Sequence, residues 1–238
     1  MNVGIILAGG TGTRLGADIP KQYIEVSGRP VISYCLERFL KHPLIDMVCV
    51  VAEKEWHELI EKTVNSFEGD HVAKKWNGFS SPGENRQLSV YYALKDLYGH
   101  ISGDDYVMIH DAARPLISTE LITNCLREAE GHDGVVPVLP MKDTIYYSDD
   151  GKTISSLLKR ESLFAGQAPE VFRFGKYYDA NKALLPNEIL KINGSTEAAV
   201  LAGMDIAFIP GDEENFKITT KEDLECFYRK LKQQMERL

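Results

Sequence analysis

The chain's 238 residues predict an α/β three-layer sandwich with a Rossmann-like, mostly parallel sheet. Three observations carry this. Short runs rich in Val and Ile recur at 3–7 (VGIIL), 45–52 (IDMVCVVA), 105–110 (DYVMIH) and 134–139 (GVVPVL). They are continuous rather than alternating, as expected of strands covered on both faces. Each is separated from the next by a segment with apolar residues at helical spacing, the alternation that builds parallel sheets. A glycine-rich turn, LAGGTGTRLG, follows the first run directly, and open α/β sheets bind ligands at the ends of their strands.

In chain order, the first strand leads through that turn to Pro20-Lys21-Gln22 and a helix over 30–41, with Pro30 suited to its first position. Helices are expected again at 54–66, 85–98 and 118–131. From about 140 to 172 the pattern loses regularity. Within it, DTIYYSDDGKTI reads as two short strands around Ser148-Asp149-Asp150-Gly151, a β-hairpin arm projecting from the sandwich. A helix near 173–184, a short one at 195–203, the strand DIAFI and a last helix complete the chain. Thr219 and Glu222 have the spacing of a capping box at the start of that last helix. No repeat or linker divides the sequence, so a single domain over 1–238 with a projecting arm is expected.

Composition narrows the function classes. The formal charge is −8, with 35 acidic against 27 basic residues, so no nucleic-acid or anionic-membrane surface is expected. A bound phosphate must then meet a local cluster of cations. No segment approaches the ~18 apolar residues of a membrane span, and the first strand starts without a basic leader. Cys35, Cys49, Cys125 and Cys226 are scattered, without a metal-binding pair, and read as reduced thiols of a soluble cytoplasmic protein. The six histidines form no metal pattern; His110 reads as a strand-end neighbour of Asp111.

The loop Gly9-Gly10-Thr11-Gly12-Thr13-Arg14 matches neither of the two best-known phosphate fingerprints. Its glycines allow backbone N–H groups close to an anion. Arg14 and Lys21 then place two cations beside that cradle, where charge grows on phosphorus during in-line displacement.

The stretch L-A-G-G-x-G-x-R-L-G…P-K-Q resembles the nucleotide-binding signature of the cytidylyltransferases that make CDP-methylerythritol in isoprenoid synthesis and CDP-ribitol in wall-polymer synthesis. PGENRQLSV (82–90), IHDAARPLIS (109–118), PMKDTI (140–145), LLKRESLFAGQAPEVF (157–172) and NFKITTKEDL (215–224) agree with the same family, in its order, over nearly the whole chain. The resemblance implies a fold of the nucleotidyltransferase type. It further implies that Leu7, Ala8, Gly9, Gly10, Thr11, Gly83, Glu84, Arg86, Ser89 and Ala112 hold CTP. Arg14, Lys21, Arg160 and Lys217 would be catalytic; Asp111, Arg114, Thr144, Arg160 and Lys217 would bind the acceptor, a polyol phosphate. Asp111 stands where a carboxylate can hold Mg²⁺ or a polyol hydroxyl, and Arg114 either pairs with a phosphate or fixes the turn through Asp111. In the family the arm is exchanged between two subunits, so a homodimer is expected.

Two blocks depart from the family. Ala168 stands in GQAPE where Q-T-P-Q is usual, and Thr196 in NGSTEAAVLAG replaces the aspartate of T-D-E-A-S-A-L. These swaps bear on the acceptor, with methylerythritol 4-phosphate favoured and ribitol 5-phosphate or a related pentitol phosphate as the alternative. A silent nucleotide-binding regulatory module has no need for cations around the α-phosphorus. A glycosyltransferase on a similar sheet would need a second carboxylate beside Asp111.

Overall fold

A computed structural model describes residues 1–10 and 19–235. The strands are β1 (Asn2–Leu7), β2 (Glu25–Val26), β3 (Arg29–Pro30), β4 (Met47–Val51), β5 (Trp76–Ser80) and β6 (Tyr106–Asp111). They continue with β7 (Gly134–Pro140), β8 (Ile145–Tyr147), β9 (Ser156–Leu158), β10 (Phe164–Gly166), β11 (Glu170–Arg173) and β12 (Ile206–Pro210). The helices are α1 (Val31–Lys41), α2 (His57–Asn65), α3 (Asp70–Lys75), α4 (Arg86–Leu97), α5 (Thr119–Glu128), α6 (Phe174–Ala183), α7 (Ser195–Leu201) and α8 (Lys221–Met235).

Among the described residues, eight strands form one sheet in the order β10-β7-β11-β6-β1-β4-β5, with β12 also on β7. Alternation of side chains fixes the three layers. Ile6, Val48, Val50, Met108 and Val171 face α1, α2, α3 and α5, whereas Val3, Ile5, Cys49, Val51, Val107, Ile109 and Phe172 face α4, α6 and α7. The two sets are offset by one residue along each strand, so a sheet buried on both sides must be apolar without interruption. A third cluster, including Val26, Val31, Leu116, Ile218, Phe227 and Leu231, seats α8 against the β2–β3 hairpin and the start of α1. All four cysteines are free; burial pushes the thiols of Cys35, Cys49 and Cys125 up to about 12, which keeps them protonated.

The sheet is less uniformly parallel than the sequence pattern suggests. β1 pairs in parallel with β4 and β6, and β12 with β7, but β11 runs antiparallel between β6 and β7. Its run of four residues is too short to show a period. β5 is likewise hidden in the sequence, because Asn77 and Gly78 interrupt its apolar residues and Gly78 adopts φ +78°.

Local signals are shifted by small amounts. Pro30 precedes α1 instead of opening it, with extended backbone at φ −65° and ψ 144°. The box at α8 is Thr220 with Asp223: the Thr220 hydroxyl accepts from the Asp223 N–H at 3.2 Å and the Asp223 carboxylate accepts from the Thr220 N–H at 2.8 Å. The shorter aspartate closes this box because it also receives the Thr219 N–H and hydroxyl. In the arm, β8 pairs with β9, whose first residue is Ser156, so the turn is longer than the four residues expected. Asp150 organises it by accepting from the N–H groups of Lys152 and Thr153, both at 2.8 Å.

Candidate active site

The parallel strands β1 and β6 end at the same edge, with Leu7 and Asp111 in register. The Ala112 N–H donates to the Leu7 carbonyl at 3.0 Å, and the Ala8 N–H to Val51 at 2.8 Å, which holds the start of the glycine loop against both neighbours. Gly9 packs so closely that a Cβ there would sit 2.6 Å from the Cβ of Pro82. Gly10 is exposed, while Thr11 and Arg14 lie outside the described residues. Lys21 opens a 3-10 turn, Lys21–Tyr23, fastened to the loop by its two following residues. Gln22 Nε2 donates to the carbonyls of Ala8 at 2.5 Å and Gly10 at 2.8 Å, and the Tyr23 hydroxyl donates to Ala8 at 3.0 Å. The buried amide of Gln22, anchored on the strand end, ties Lys21's turn to the loop.

The second wall is the entrance to α4. Asn85 caps it, its Oδ1 accepting from the Leu88 N–H at 2.8 Å. Ser89 Oγ accepts from the Gly83 N–H at 2.9 Å and donates to the Asn85 carbonyl at 2.9 Å, leaving it one acceptor lone pair for a ligand. A Cβ on Gly83 would meet Leu88 at 2.6 Å, so this approach needs glycine. Glu84 is exposed and Ala112 buried.

At the strand edge the chain gathers charge from four places. Asp111 is 7% exposed, and three cations surround its carboxylate. Lys217 Nζ lies 2.9 Å and Arg114 Nε 3.6 Å from Oδ2; Arg86 Nε lies 3.2 Å from Oδ1. Burial alone would raise the Asp111 pKa, but Arg86, Lys217 and Arg114 together hold it far below the usual carboxylate range. Because β11 runs antiparallel, it brings its first residue, Glu170, to this same edge, where the carboxylate meets Arg86 Nη2 at 3.3 Å. Arg86 is held above its ordinary value by Asp111 and Glu170 despite its burial. Three cations against two carboxylates leave one positive charge in excess.

Arg114 also donates to the Asn215 carbonyl at 2.7 Å, and the Ile218 N–H to Ala113 at 2.8 Å; these bonds dock the 215–218 strap and bring Lys217 to Asp111. Arg114 thereby joins the turn after β6 to the strap. Thr144 and Arg160 lie together on the arm, lining one groove with Leu157 and Leu158, and Arg160 Nη1 donates to the Lys142 carbonyl at 3.0 Å. Within this subunit Arg160 thus bonds inside the arm, whereas the partners of Asp111 come from Arg86, Arg114 and Lys217.

These donors do not fit a resident divalent cation. Both Asp111 oxygens already face cations, and among the described residues no group of three or more His, Cys, Asp or Glu converges.

His110, just before Asp111, is fully buried, and its Nε2 meets the Arg114 carbonyl at 3.1 Å. Only a donor can satisfy a carbonyl, so Nε2 carries the hydrogen. Burial pushes the imidazole pKa down to about 4. The unfolded chain protonates near ~6.5. Stability from the neutral ring is therefore complete above ~6.5 and lost as pH falls through about 4, a change of roughly 3 kcal/mol. Urea unfolding from pH 7 to 4 should show this slope, and His110→Gln should flatten it; an equally steep variant would assign the acid sensitivity elsewhere.

The family model for 2-C-methyl-D-erythritol 4-phosphate cytidylyltransferase, IspD, matches residues 2–231. The chain belongs to the IspD family. A 2-C-methyl-D-erythritol 4-phosphate cytidylyltransferase of Clostridium botulinum is 33% identical over 220 residues, covering 92% of this chain and 94% of the relative. A ribitol-5-phosphate cytidylyltransferase of Lacticaseibacillus paracasei is 30% identical over 229 residues, covering 95% and 96%. The solved 2-C-methyl-D-erythritol 4-phosphate cytidylyltransferase (IspD) of Francisella tularensis superposes with a TM-score of 0.77 at 27% identity, covering 94% of this chain and 97% of its own. The IspD sheet and its helices are thus shared, and the chain is of the nucleotidyltransferase class. Glu170 and Ser195 fasten Arg86, and only the fold brings them near the cluster; Gln22 fastens the turn that carries Lys21.

Proposed function

We propose that this IspD-family chain transfers CMP from CTP to 2-C-methyl-D-erythritol 4-phosphate, releasing pyrophosphate. The supporting observation is the excess positive charge where Lys217, Arg86 and Arg114 meet Asp111 at the strand edge. A phosphate monoester brings the anion that this cluster lacks, and its polyol hydroxyls suit the Asp111 carboxylate. In the reaction an acceptor phosphate oxygen attacks the α-phosphorus of CTP, a new P–O bond forms, and the bond to the bridging oxygen of pyrophosphate breaks. Lys217 orients the attacking phosphate. Arg14 and Lys21 stabilise charge on the α-phosphorus, and the backbone at Gly9 and Gly10 receives the phosphate chain. The phosphate dianion is its own nucleophile, so no general base is required. A divalent cation such as Mg²⁺ would be held by the triphosphate oxygens, the ordinary habit of that ion.

Arg160 and Thr144 would reach the acceptor from a second copy through arm exchange. Tyr146, Tyr147, Ile154, Leu157, Phe164 and Phe208 leave apolar surface exposed along and beside the arm, and a three-residue hairpin pair has little core of its own. A dimer mass by light scattering at micromolar concentration is expected; a monomer would refute the exchange.

The ribitol 5-phosphate reading is favoured by the Lacticaseibacillus paracasei relative. Pyrophosphate release from CTP with a panel of polyol phosphates decides between them. Methylerythritol 4-phosphate should give a kcat/KM at least about tenfold above ribitol 5-phosphate. The opposite order would reverse the acceptor, and no release with any of them would reject the transferase reading.

A further inference from the structure

The guanidinium of Arg86 is divided among three elements. Its Nε donates to Asp111 Oδ1 at the end of β6, and its Nη1 to the Ser195 hydroxyl at the start of α7. Its Nη2 donates to Glu170 Oε2 at the start of β11, 3.3 Å away. Nε and Nη2 point along one edge of the planar group, the edge that ordinarily closes on a single carboxylate with two parallel bonds. Here that edge is split between two carboxylates. Glu170 is itself held, because the Thr196 hydroxyl donates to its Oε1 at 2.8 Å. Its side chain is only 12% exposed, so water competes weakly for these bonds.

We infer that Glu170, oriented by Thr196, is a positioning residue that draws one arm of Arg86 away from Asp111, limits Arg86 to a single bond with Oδ1, and so leaves a lone pair of the carboxylate for the acceptor. The inference rests on the transferase reading above, in which Asp111 faces the polyol phosphate. Without Glu170 the freed Nη2 turns onto Asp111 and closes the two-bonded pair. Arg86 then takes a second lone pair of Asp111, beside the Lys217 bond to Oδ2, and the acceptor must break a charge-assisted bond to use the carboxylate. CTP, which is expected to sit on the loop after β1 and at the entrance to α4, makes no demand on Asp111 in this reading.

The Thr196–Glu170 bond also allows the carboxylate to change sides. With glutamine at 170 and aspartate at 196, an amide N–H donates across the same gap, the amide oxygen still accepts from Arg86, and the negative charge moves one side chain away. The sequence supplies a parallel, since Thr196 stands where the resembling family has aspartate.

The test is steady-state kinetics on Glu170→Gln, Thr196→Asp and the double variant, with CTP and acceptor varied separately and thermal unfolding recorded for each. Glu170→Gln should raise the acceptor KM on the order of tenfold, raise the CTP KM by less, and change kcat less than the acceptor KM. Thr196→Asp sets two carboxylates side by side and should lose both activity and melting temperature. The double variant should recover most of each loss, the acceptor KM included; a merely structural role for Glu170 would restore the melting temperature and leave the acceptor KM unmoved throughout. An unchanged acceptor KM in Glu170→Gln, or a double variant no better than the worse single one, overturns the inference. If Glu170→Gln does not fold, the double variant must still exceed Thr196→Asp in stability and turnover; the reverse order overturns it. If the unaltered protein releases no pyrophosphate with any acceptor, the functional reading fails by itself. The pairing is then decided by whether Glu170→Gln restores the melting temperature of Thr196→Asp.

Discussion

Replacing Lys21 by alanine is expected to leave CTP binding within a few-fold of the unaltered protein and to lower kcat by 10²-fold or more. The expectation follows from where its backbone is fixed. Pro20 precedes the 3-10 turn with φ −60°, and Gln22 and Tyr23 bond three times to the carbonyls of Ala8 and Gly10. The backbone that carries Lys21 is thereby held beside the glycine loop. Preorganised charge acts most strongly where charge increases between ground and transition state, and in this displacement that place is the α-phosphorus. The base and ribose of CTP are expected to be held elsewhere, by the wall that Gly83, Asn85 and Ser89 build, so binding should survive. Calorimetric titration with CTP and a pyrophosphate-release assay measure the two quantities separately. A variant that turns over normally would remove Lys21 from the chemistry, and one that loses CTP binding in proportion to kcat would make it a ground-state contact.

The parts of this site that were legible in the sequence are those whose chemistry is local. The turn after β1 is announced by Gly9 and Gly10, the cap of α4 by Asn85, and the carboxylate at a strand end by Asp111 following an unbroken apolar run. The parallel pairs were legible too, because β1, β4 and β6 are buried on both faces and must be continuous in Val, Ile and Met. Glu170 was not legible, since its position depends on the antiparallel insertion of β11 between β6 and β7, a pairing that no local pattern encodes. Ser195 and Thr196 depend on how α7 packs beside that strand. The split of Arg86 between two carboxylates is the product of three such placements, and residue spacing carries none of them.

The second large effect is expected at Asp111, and it separates stability from catalysis. Asp111→Asn should destabilise the fold by about 3–5 kcal/mol, because it leaves Arg86, Arg114 and Lys217 close together in a largely buried place with Glu170 as the remaining carboxylate. Lys217→Met should cost far less stability, on the order of 1 kcal/mol or below: the lysine side chain is 35% exposed, and Arg86 and Arg114 remain to neutralise Asp111. Yet both variants should lose acceptor turnover, since one removes the carboxylate for the polyol and the other the ammonium for its phosphate. Acidification offers an independent view of the same carboxylate. Its pKa lies below the unfolded value of ~3.9, so the stability it contributes is present above that pH and lost only as pH falls through the much lower folded value. The acid sensitivity between about pH 6.5 and 4 is therefore expected from the buried histidines, His110 foremost and His42 with it, and the Asp111→Asn variant should keep that slope while starting from a lower stability. Urea unfolding of the two variants at pH 7, beside their acceptor kinetics, checks the whole pattern. If Lys217→Met proved as unstable as Asp111→Asn, the lysine would be a structural partner of the carboxylate, and its part in orienting the attacking phosphate would have no support.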